Sequence, residues 1–296
     1  MGSKSSVIRL GLVLVLLATF FAASNCGRTK TQIIVGSKNT TAQSVLGEIV
    51  AQHLEHRLGR KIGRSLSLGS TALVYQSLVS GEIGLYPEDT GTVQTEILKE
   101  SISPDPAAAL DRVRNELQRI AQLVVLDPLG ADSSWAVFVQ QKETPATLSD
   151  AADTKEVWKL GVTRDFDERT DGLAHLDQYR LPMGAAPRVA EPAALYAAFA
   201  AGQLTMVVGD PTDGAVARHN DWKILADDKK IFSPYQICLI VRSDLLLSDP
   251  KIQPALAELS GKMTNDALRK LDVEVDADHK KLADVAAEFL VGAGLK

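Results

Sequence analysis

His53 and His56 stand three residues apart in a stretch of helical periodicity, a spacing at which two imidazoles on one helix face could share a metal ion. Glu55 and Arg57 flank them, and no cysteine or third histidine is spaced to complete a ligand set, so the pair reads as part of a solvated polar face. His175, His219 and His279 are isolated. Cys238 lies in the apolar run Ile237 to Val241 and is expected to be a small core residue, not a nucleophile. There is no G-x-S-x-G elbow, no phosphate-cradling G-x-x-x-x-G-K-[ST] loop and no H-E-x-x-H pair. Acidic residues are plentiful, yet spacing alone singles out no catalytic pair. These residue types make a poor enzyme; no catalytic residue, metal or cofactor is expected.

The elements that must carry any site follow a repeated strand, turn and helix pattern. Ile33 to Val35 reads as a short strand ending at Gly36, and Thr40 or Thr41 can cap a helix whose apolar positions Val45, Leu46, Ile49, Val50 and Leu54 recur with helical spacing. Ser65 to Leu68 and Ile83 to Tyr86 are further strands, the second broken by Pro87, with a helix carrying Leu73, Val74 and Leu78 between them. Residues 107–120 read as a helix after the turn at Pro104 to Pro106. Trp135 to Val139, Leu160 to Val162, Thr205 to Val208 and Ile237 to Val241 form a second set of strands, with helices over 148–158, 171–179 and 191–201 and a mostly helical tail from Pro250. This alternation predicts α/β architecture with parallel sheets covered by helices. A chain of 296 residues is long enough for two lobes, and a cleft is then expected at the strand ends.

The first thirty residues read as an export leader. Lys4 and Arg9 give a positive start, Leu10 to Ala23 is an uncharged apolar run, and small residues lead to Asn25 and Cys26. Cys26 sits where a bacterial lipoprotein cysteine would be lipidated, although Asn25 departs from the Gly, Ala or Ser usual before it. With Cys26 so used, Cys238 is alone and no disulfide framework holds the fold. The net charge of −5, with Lys and Arg scattered, argues against a nucleic-acid partner. The expected setting is periplasmic or at the cell surface.

Gly36-Ser37-Lys38-Asn39, Gln43 and Leu46-Gly47-Glu48-Ile49 resemble the opening of the osmoprotectant (glycine betaine, choline, carnitine) substrate-binding proteins of ABC transporters, as does Leu68-Gly69-Ser70-Thr71. The run Leu78 to Thr92, LVSGEIGLYPEDTGT, is close to the family pattern L-x-S-G-E-I-D-L-Y-P-E-Y-T-G-T. Arg169-Thr170-Asp171-Gly172-Leu173, Thr212-Asp213-Gly214, Leu225-Ala226-Asp227-Asp228 and Phe232-Ser233-Pro234-Tyr235 extend the likeness in order to about residue 290. The resemblance implies a type II periplasmic-binding-protein fold: two lobes, a ligand cleft and two interlobe crossovers. Lobe one is expected over 31–132 and 233–296, lobe two over 133–232, after the leader 1–30.

By that resemblance, Lys38 and Arg169 hold a ligand carboxylate and Thr92 supports it, which suits the charge-assisted donors a carboxylate requires. The family surrounds a quaternary ammonium with aromatic faces, each contributing about 0.5–2 kcal/mol. Here the sequence departs. The family tyrosine after Pro-Glu is Asp89, the one two residues before Thr-Asp-Gly is Asp210, and the second of the Pro-Tyr-Tyr stretch is Gln236; Trp135 and Tyr235 remain. Asp89 and Asp210 would accept short bonds from an N–H-bearing cation such as a basic amino acid, whereas a trimethylammonium offers them none. Both readings stay open: a betaine-type solute, or a cation with N–H groups. Asp171 and Asp213 are expected to cap helices. The resemblance further implies a monomer whose permease and ATPase are separate chains, with the membrane reached through a lipid on Cys26. A hydrolase or lyase, or a solute-sensing protein, on the same fold is the competing reading.

Overall fold

The computed structural model describes residues 32–296 except Thr170, so Cys26 and the leader lie outside the described residues. The strands form two five-stranded sheets. In the first, β1 (Ile34–Gly36), β2 (Gly63–Ser65), β3 (Leu85–Asp89), β4 (Leu123–Val125) and β10 (Ile237–Arg242) lie in the order β2-β1-β3-β10-β4. In the second, β5 (Ala136–Gln140), β6 (Leu160–Val162), β7 (Arg188–Val189), β8 (Met206–Gly209) and β9 (Trp222–Leu225) lie in the order β7-β6-β8-β5-β9. Helices cover both faces of each, giving the two-lobed type II periplasmic-binding-protein fold.

The sheets are mixed, which corrects the expectation of parallel ones. β1 pairs in parallel with β2 and β3, but β10 runs antiparallel to both β3 and β4. In the second sheet β6 is parallel to β7 and β8, while β5 is antiparallel to β8 and β9. The cause is the chain's double passage between the sheets: each sheet receives one strand directly from a crossover. The crossovers themselves lie side by side, with Leu129 N–H donating to Ile237 O (2.8 Å), Ile237 N–H to Ala131 O (3.0 Å) and Ser133 N–H to Tyr235 O (3.1 Å).

Pro87 does not break its strand. Gly84 O accepts from Arg242 N–H of β10 and Thr90 N–H donates to Gln236 O just before β10, so the ladder's alternation turns Pro87's missing donor away from β10. On that other side β1 pairs with β3 only at Val35 and Leu85, so the missing N–H falls beyond the pairing. β10 is apolar from Ile237 to Val241 because both its faces are covered there: Ile237, Leu239 and Val241 enter one core and Cys238 and Ile240 another. Cys238 is buried as expected, and burial pushes its thiol up to about 12. β4, β7 and β9 were not predicted; they are two to four residues long and show no sustained alternation. The helix expected over 148–158 ends at Ala152, that over 171–179 is a turn of helix at Leu173–Leu176 followed by a 3-10 turn, and the strand expected at 65–68 lies at Gly63–Ser65.

His53 corrects a second expectation. It is fully buried, not solvated, and its Nε2 meets the Ala255 carbonyl at 2.8 Å. Helix α1 (Thr41–Leu58) is wedged between the sheet and the C-terminal helices, so it buries more than one stripe. Burial lowers the His53 pKa and keeps the ring neutral. Among the described residues no helix is long and apolar enough to cross a membrane.

Away from the crossovers, the helix Asn265–Asp276 of the C-terminal tail packs on the short helix Gly214–Ala217 that follows β8. Asp213 caps that short helix as predicted, accepting from Ala215 N–H at 2.8 Å, and Asp272 accepts from Gly214 N–H at 2.9 Å. A Cβ on residue 214 would lie 2.5 Å from the Asp272 carboxylate, so any larger residue there would push that carboxylate off the Gly214 N–H. Burial pushes the Asp272 carboxyl up to about 6, against the Gly214 N–H that favours the ionised form; Asp276 and Asp213 add to the rise and Arg218 opposes it. A carboxyl raised above its unfolded value of about 3.9 stabilises the fold below that value, and the contribution is lost as pH rises through the folded value. Asp272→Asn keeps an oxygen for Gly214 and should flatten the fall in melting temperature between about pH 4 and about pH 6, measured by thermal denaturation across that range.

Candidate functional site

The site begins where the first sheet's parallel strands end. Gly36 closes β1 because any Cβ there would lie 2.4 Å from the Ile83 side chain. Ser37 is buried; its hydroxyl donates to Lys38 O (2.9 Å) and accepts from Ser67 N–H (3.0 Å), which ties the turn to the loop after β2. This turn presents Lys38 to the end of β3, where its ammonium donates to Glu88 Oε1 and to Asp89 Oδ2 (3.3 Å). The Asp89 carboxylate is held from its other side by Ser133 Oγ, which donates to Oδ1 at 2.8 Å from the first crossover. Lys38, Glu88 and Asp89 are all largely buried, with side-chain exposures of 15%, 0% and 10%.

Burial alone would lower the Lys38 pKa, but Asp89 and Glu88 together outweigh it and hold the ammonium above its ordinary value. Glu88 pays for its depth: burial pushes its carboxyl up to about 7, with Asp89 adding to the rise and Lys38 opposing it. Its second oxygen, Oε2, is buried with no partner among the described residues.

Arg169 and Tyr235 form a second group. The Arg169 guanidinium grips Asp171 with both arms, Nε to Oδ1 at 2.9 Å and a terminal nitrogen to Oδ2 at 3.1 Å, and sits 5.4 Å from the centre of the Tyr235 ring. Tyr235 donates its hydroxyl to the same Asp171 carboxylate (3.2 Å) and lays its ring over Gly91, where a Cβ would come within 2.6 Å. Asp171 is therefore not the helix cap that was expected: Gly172 stands at the N-cap of Leu173–Leu176, and Asp171 is spent on Arg169 and Tyr235. Gln236 is bound to Thr90 through its backbone, N–H to Oγ1 at 3.1 Å and O from Thr90 N–H at 3.0 Å. Thr92 lies half-buried in the helical turn Thr90–Thr92 that leaves β3.

The third group is a cavity of about 380 Å³ on the second sheet, where β6 and β8 end. Trp135 and Asp210 line it together with Tyr196, Thr163 and Asp165. Trp135 is fixed edge-on against Phe166 at 5.3 Å, and its indole N–H is buried without a partner among the described residues. Asp210 Oδ1 accepts from the Thr212 N–H and hydroxyl, both at 2.7 Å. Burial pushes the Asp210 carboxyl up to about 7; the Thr212 bonds oppose the rise, and the charges of Asp89 and Asp213 add to it. Asp210 thus feels the charge of Asp89 from the opposite sheet.

The structure brings Lys38 to Asp89, Arg169 to Tyr235 and Trp135 to Asp210. Glu88, Tyr196, Thr163 and Asp165 were missed. The first is the neighbour of Asp89 at a strand end, and the other three follow or face the ends of β6 and β8, where open α/β sheets gather ligands.

Paired mixed sheets joined by two crossovers, with charged and aromatic groups collected at the strand ends, are the architecture of a two-lobed solute-binding protein. The chain belongs to the family of the substrate-binding domain of ABC-type glycine betaine transport systems, OpuAC, whose model matches residues 31–291. It is 28% identical to the carnitine transport binding protein OpuCC of Listeria monocytogenes over 97% of this chain and 96% of that one. It is 26% identical to the ergothioneine transport permease/ergothioneine binding protein EgtU of Helicobacter pylori over 89% of this chain and 48% of that protein. A solved glycine betaine/carnitine/choline ABC transporter structure superposes with a TM-score of 0.83 at 26% identity, covering 89% of this chain and 99% of that one.

Lys38→Met leaves two adjacent buried acids without their cation and should lower the unfolding free energy by about 3–5 kcal/mol at about pH 8. Adding Glu88→Gln should recover part of that loss; urea unfolding of the single and double variants measures both.

Proposed function

We propose that the protein is the extracytoplasmic solute-binding subunit of an ABC importer and that its solute is a small quaternary amine. The observation that carries this reading is the cavity at the ends of β6 and β8, which Trp135 and Tyr196 line together with Asp210 and Asp165. Aromatic faces attract a diffuse cation through the ring quadrupole, at about 0.5–2 kcal/mol each, and need no N–H from it. Tyr196 and Trp135 are the two aromatic residues of that lining.

The second reading, a cation that donates N–H bonds to Asp89 and Asp210, loses support from the same geometry. Both Asp89 oxygens already accept, one from Ser133 and one from Lys38, and Asp210 Oδ1 accepts twice from Thr212. Asp89 thus keeps only part of its accepting capacity, and Asp210 only that of Oδ2.

In this proposal residues 31–132 with 233–296 and residues 133–232 close on the solute, hinged at the paired crossovers. Trp135, Asp210 and Tyr196 meet the head group directly. Asp89, Thr92, Tyr235 and Gln236 approach from the first lobe as it closes, and Arg169 braces Tyr235. Closure follows from the ligand's greater affinity for the closed state. The closed form then docks on a permease and ATPase carried by other chains, the binding protein acting as a monomer. Lipidation of Cys26 would tether it to the membrane surface, and mass spectrometry of the membrane fraction tests that point.

Calorimetry with choline, glycine betaine, carnitine, arginine and ornithine tests the solute class. At least one quaternary amine should bind with micromolar or better affinity, and Trp135→Ala should weaken it at least about tenfold, equivalent to about 1.4 kcal/mol. Binding of arginine or ornithine in preference to every quaternary amine would overturn the reading.

A further inference from the structure

The charges around the cleft are unevenly matched. Lys38 lies between two carboxylates, and its remaining side-chain exposure is 15%. Arg169 is engaged by both oxygens of Asp171. The cavity beside Trp135 is lined by four acids, Asp165, Glu191, Asp210 and Asp213, and by one basic residue, Arg164, which lies 3.4 Å from Glu168. Each cation near the cleft therefore already has an anion of its own, whereas acids are in surplus.

A zwitterion entering such a site gains from its cationic end and loses at its acidic end. Its carboxylate must shed water and then either compete with Glu88 and Asp89 for Lys38 or with Asp171 for Arg169. Displacing either partner strands a buried acid, and that costs more than an exposed ion pair returns. A solute with the same head group and no carboxylate meets the attraction without the penalty. The residue that decides this is Asp89. Glu88 is part of the family pattern, but Asp89 stands where the family has a tyrosine, and it contributes the second carboxylate on the Lys38 ammonium.

We infer that Asp89 withdraws Lys38 from carboxylate recognition, so that the cleft selects a quaternary amine of net positive charge over a zwitterion bearing the same head group. The inference rests on the quaternary-amine reading above and narrows it to one charge class. Asp89 acts through Lys38 and is a specificity-determining position, not a direct ligand for the solute's acid.

Choline and glycine betaine share a trimethylammonium and differ in net charge, which makes them the probes. Calorimetry on the full chain at low and at physiological salt should find choline bound at least about tenfold more tightly than glycine betaine, a difference of about 1.4 kcal/mol. Asp89→Asn keeps an acceptor for Ser133 and removes one charge from Lys38; the choline-to-betaine ratio should fall by about tenfold through a gain in betaine affinity. If that variant does not fold, Asp165→Asn on the cavity rim serves instead, with choline affinity falling more than glycine betaine affinity. Tighter binding of glycine betaine by the unaltered protein, or a ratio unmoved in the folded variant, overturns the inference and leaves the quaternary-amine reading standing. Failure of choline, glycine betaine and carnitine alike to bind overturns both.

Discussion

Leu129 to Ser133 and Tyr235 to Ile237 run past each other in opposite directions, joined by backbone hydrogen bonds, and both the fold and the site hang from that pairing. The second of these segments continues into β10, the antiparallel strand that sits between β3 and β4 and holds the first sheet together. The first continues into β5, which plays the same part in the second sheet. Because the passing segments are bonded to each other, the ends of β3 and β8 are aimed at a common space, and residues far apart in sequence become neighbours. Ser133, which belongs to one crossover, can then hold Asp89 at the end of β3, and Tyr235, from the other, can lie on Gly91.

A second constraint is charge. A cleft that must admit a small polar solute is partly dry when closed, and a fixed charge in it is tolerable only with a partner. The protein meets this by local pairing: Lys38 with Glu88 and Asp89, Arg169 with Asp171. The residual imbalance is acidic; burial first, and neighbouring acids second, make Glu88 and Asp210 hold their protons to higher pH than free carboxyls do. An acidic surplus beside aromatic faces attracts a cation from two directions at once, through the ring quadrupole and through net charge.

The same groups also support the fold. Ser37, buried under Lys38, ties β1 to the loop after β2, and Asp272 ties the C-terminal tail to the helix after β8. The tail helix is thus joined to both sheets' surroundings: Thr41 at the start of α1 donates to Asp276 (2.7 Å), one turn beyond Asp272. The second sheet's strand ends are therefore tied at the tail as well as at the crossovers.

The sequence by itself determined the α/β class, the helices α1, 106–121 and 192–200, and the strand at Leu160–Val162, because each is a run whose own period or cap specifies it. It also determined Cys238 as core and Asp213 as a cap, since an uninterrupted apolar run and a residue just before a helix carry their meaning locally. What it did not contain was direction and partnership. Periodicity is the same for a parallel and an antiparallel strand, so the mixed sheets came only from where the chain returns. Pro87 was misread for the same reason, its tolerance depending on which neighbour its missing donor faces. Lys38 and Arg169 were picked out by the resemblance, but whether a basic side chain is free for a ligand depends on acids fifty residues or two residues away, whose placement a local pattern does not contain. His53 and Asp171 changed roles on that account, one enclosed by the C-terminal helices and the other taken by Arg169 and Tyr235. Burial and pairing are properties of the assembled neighbourhood, and a local pattern specifies neither.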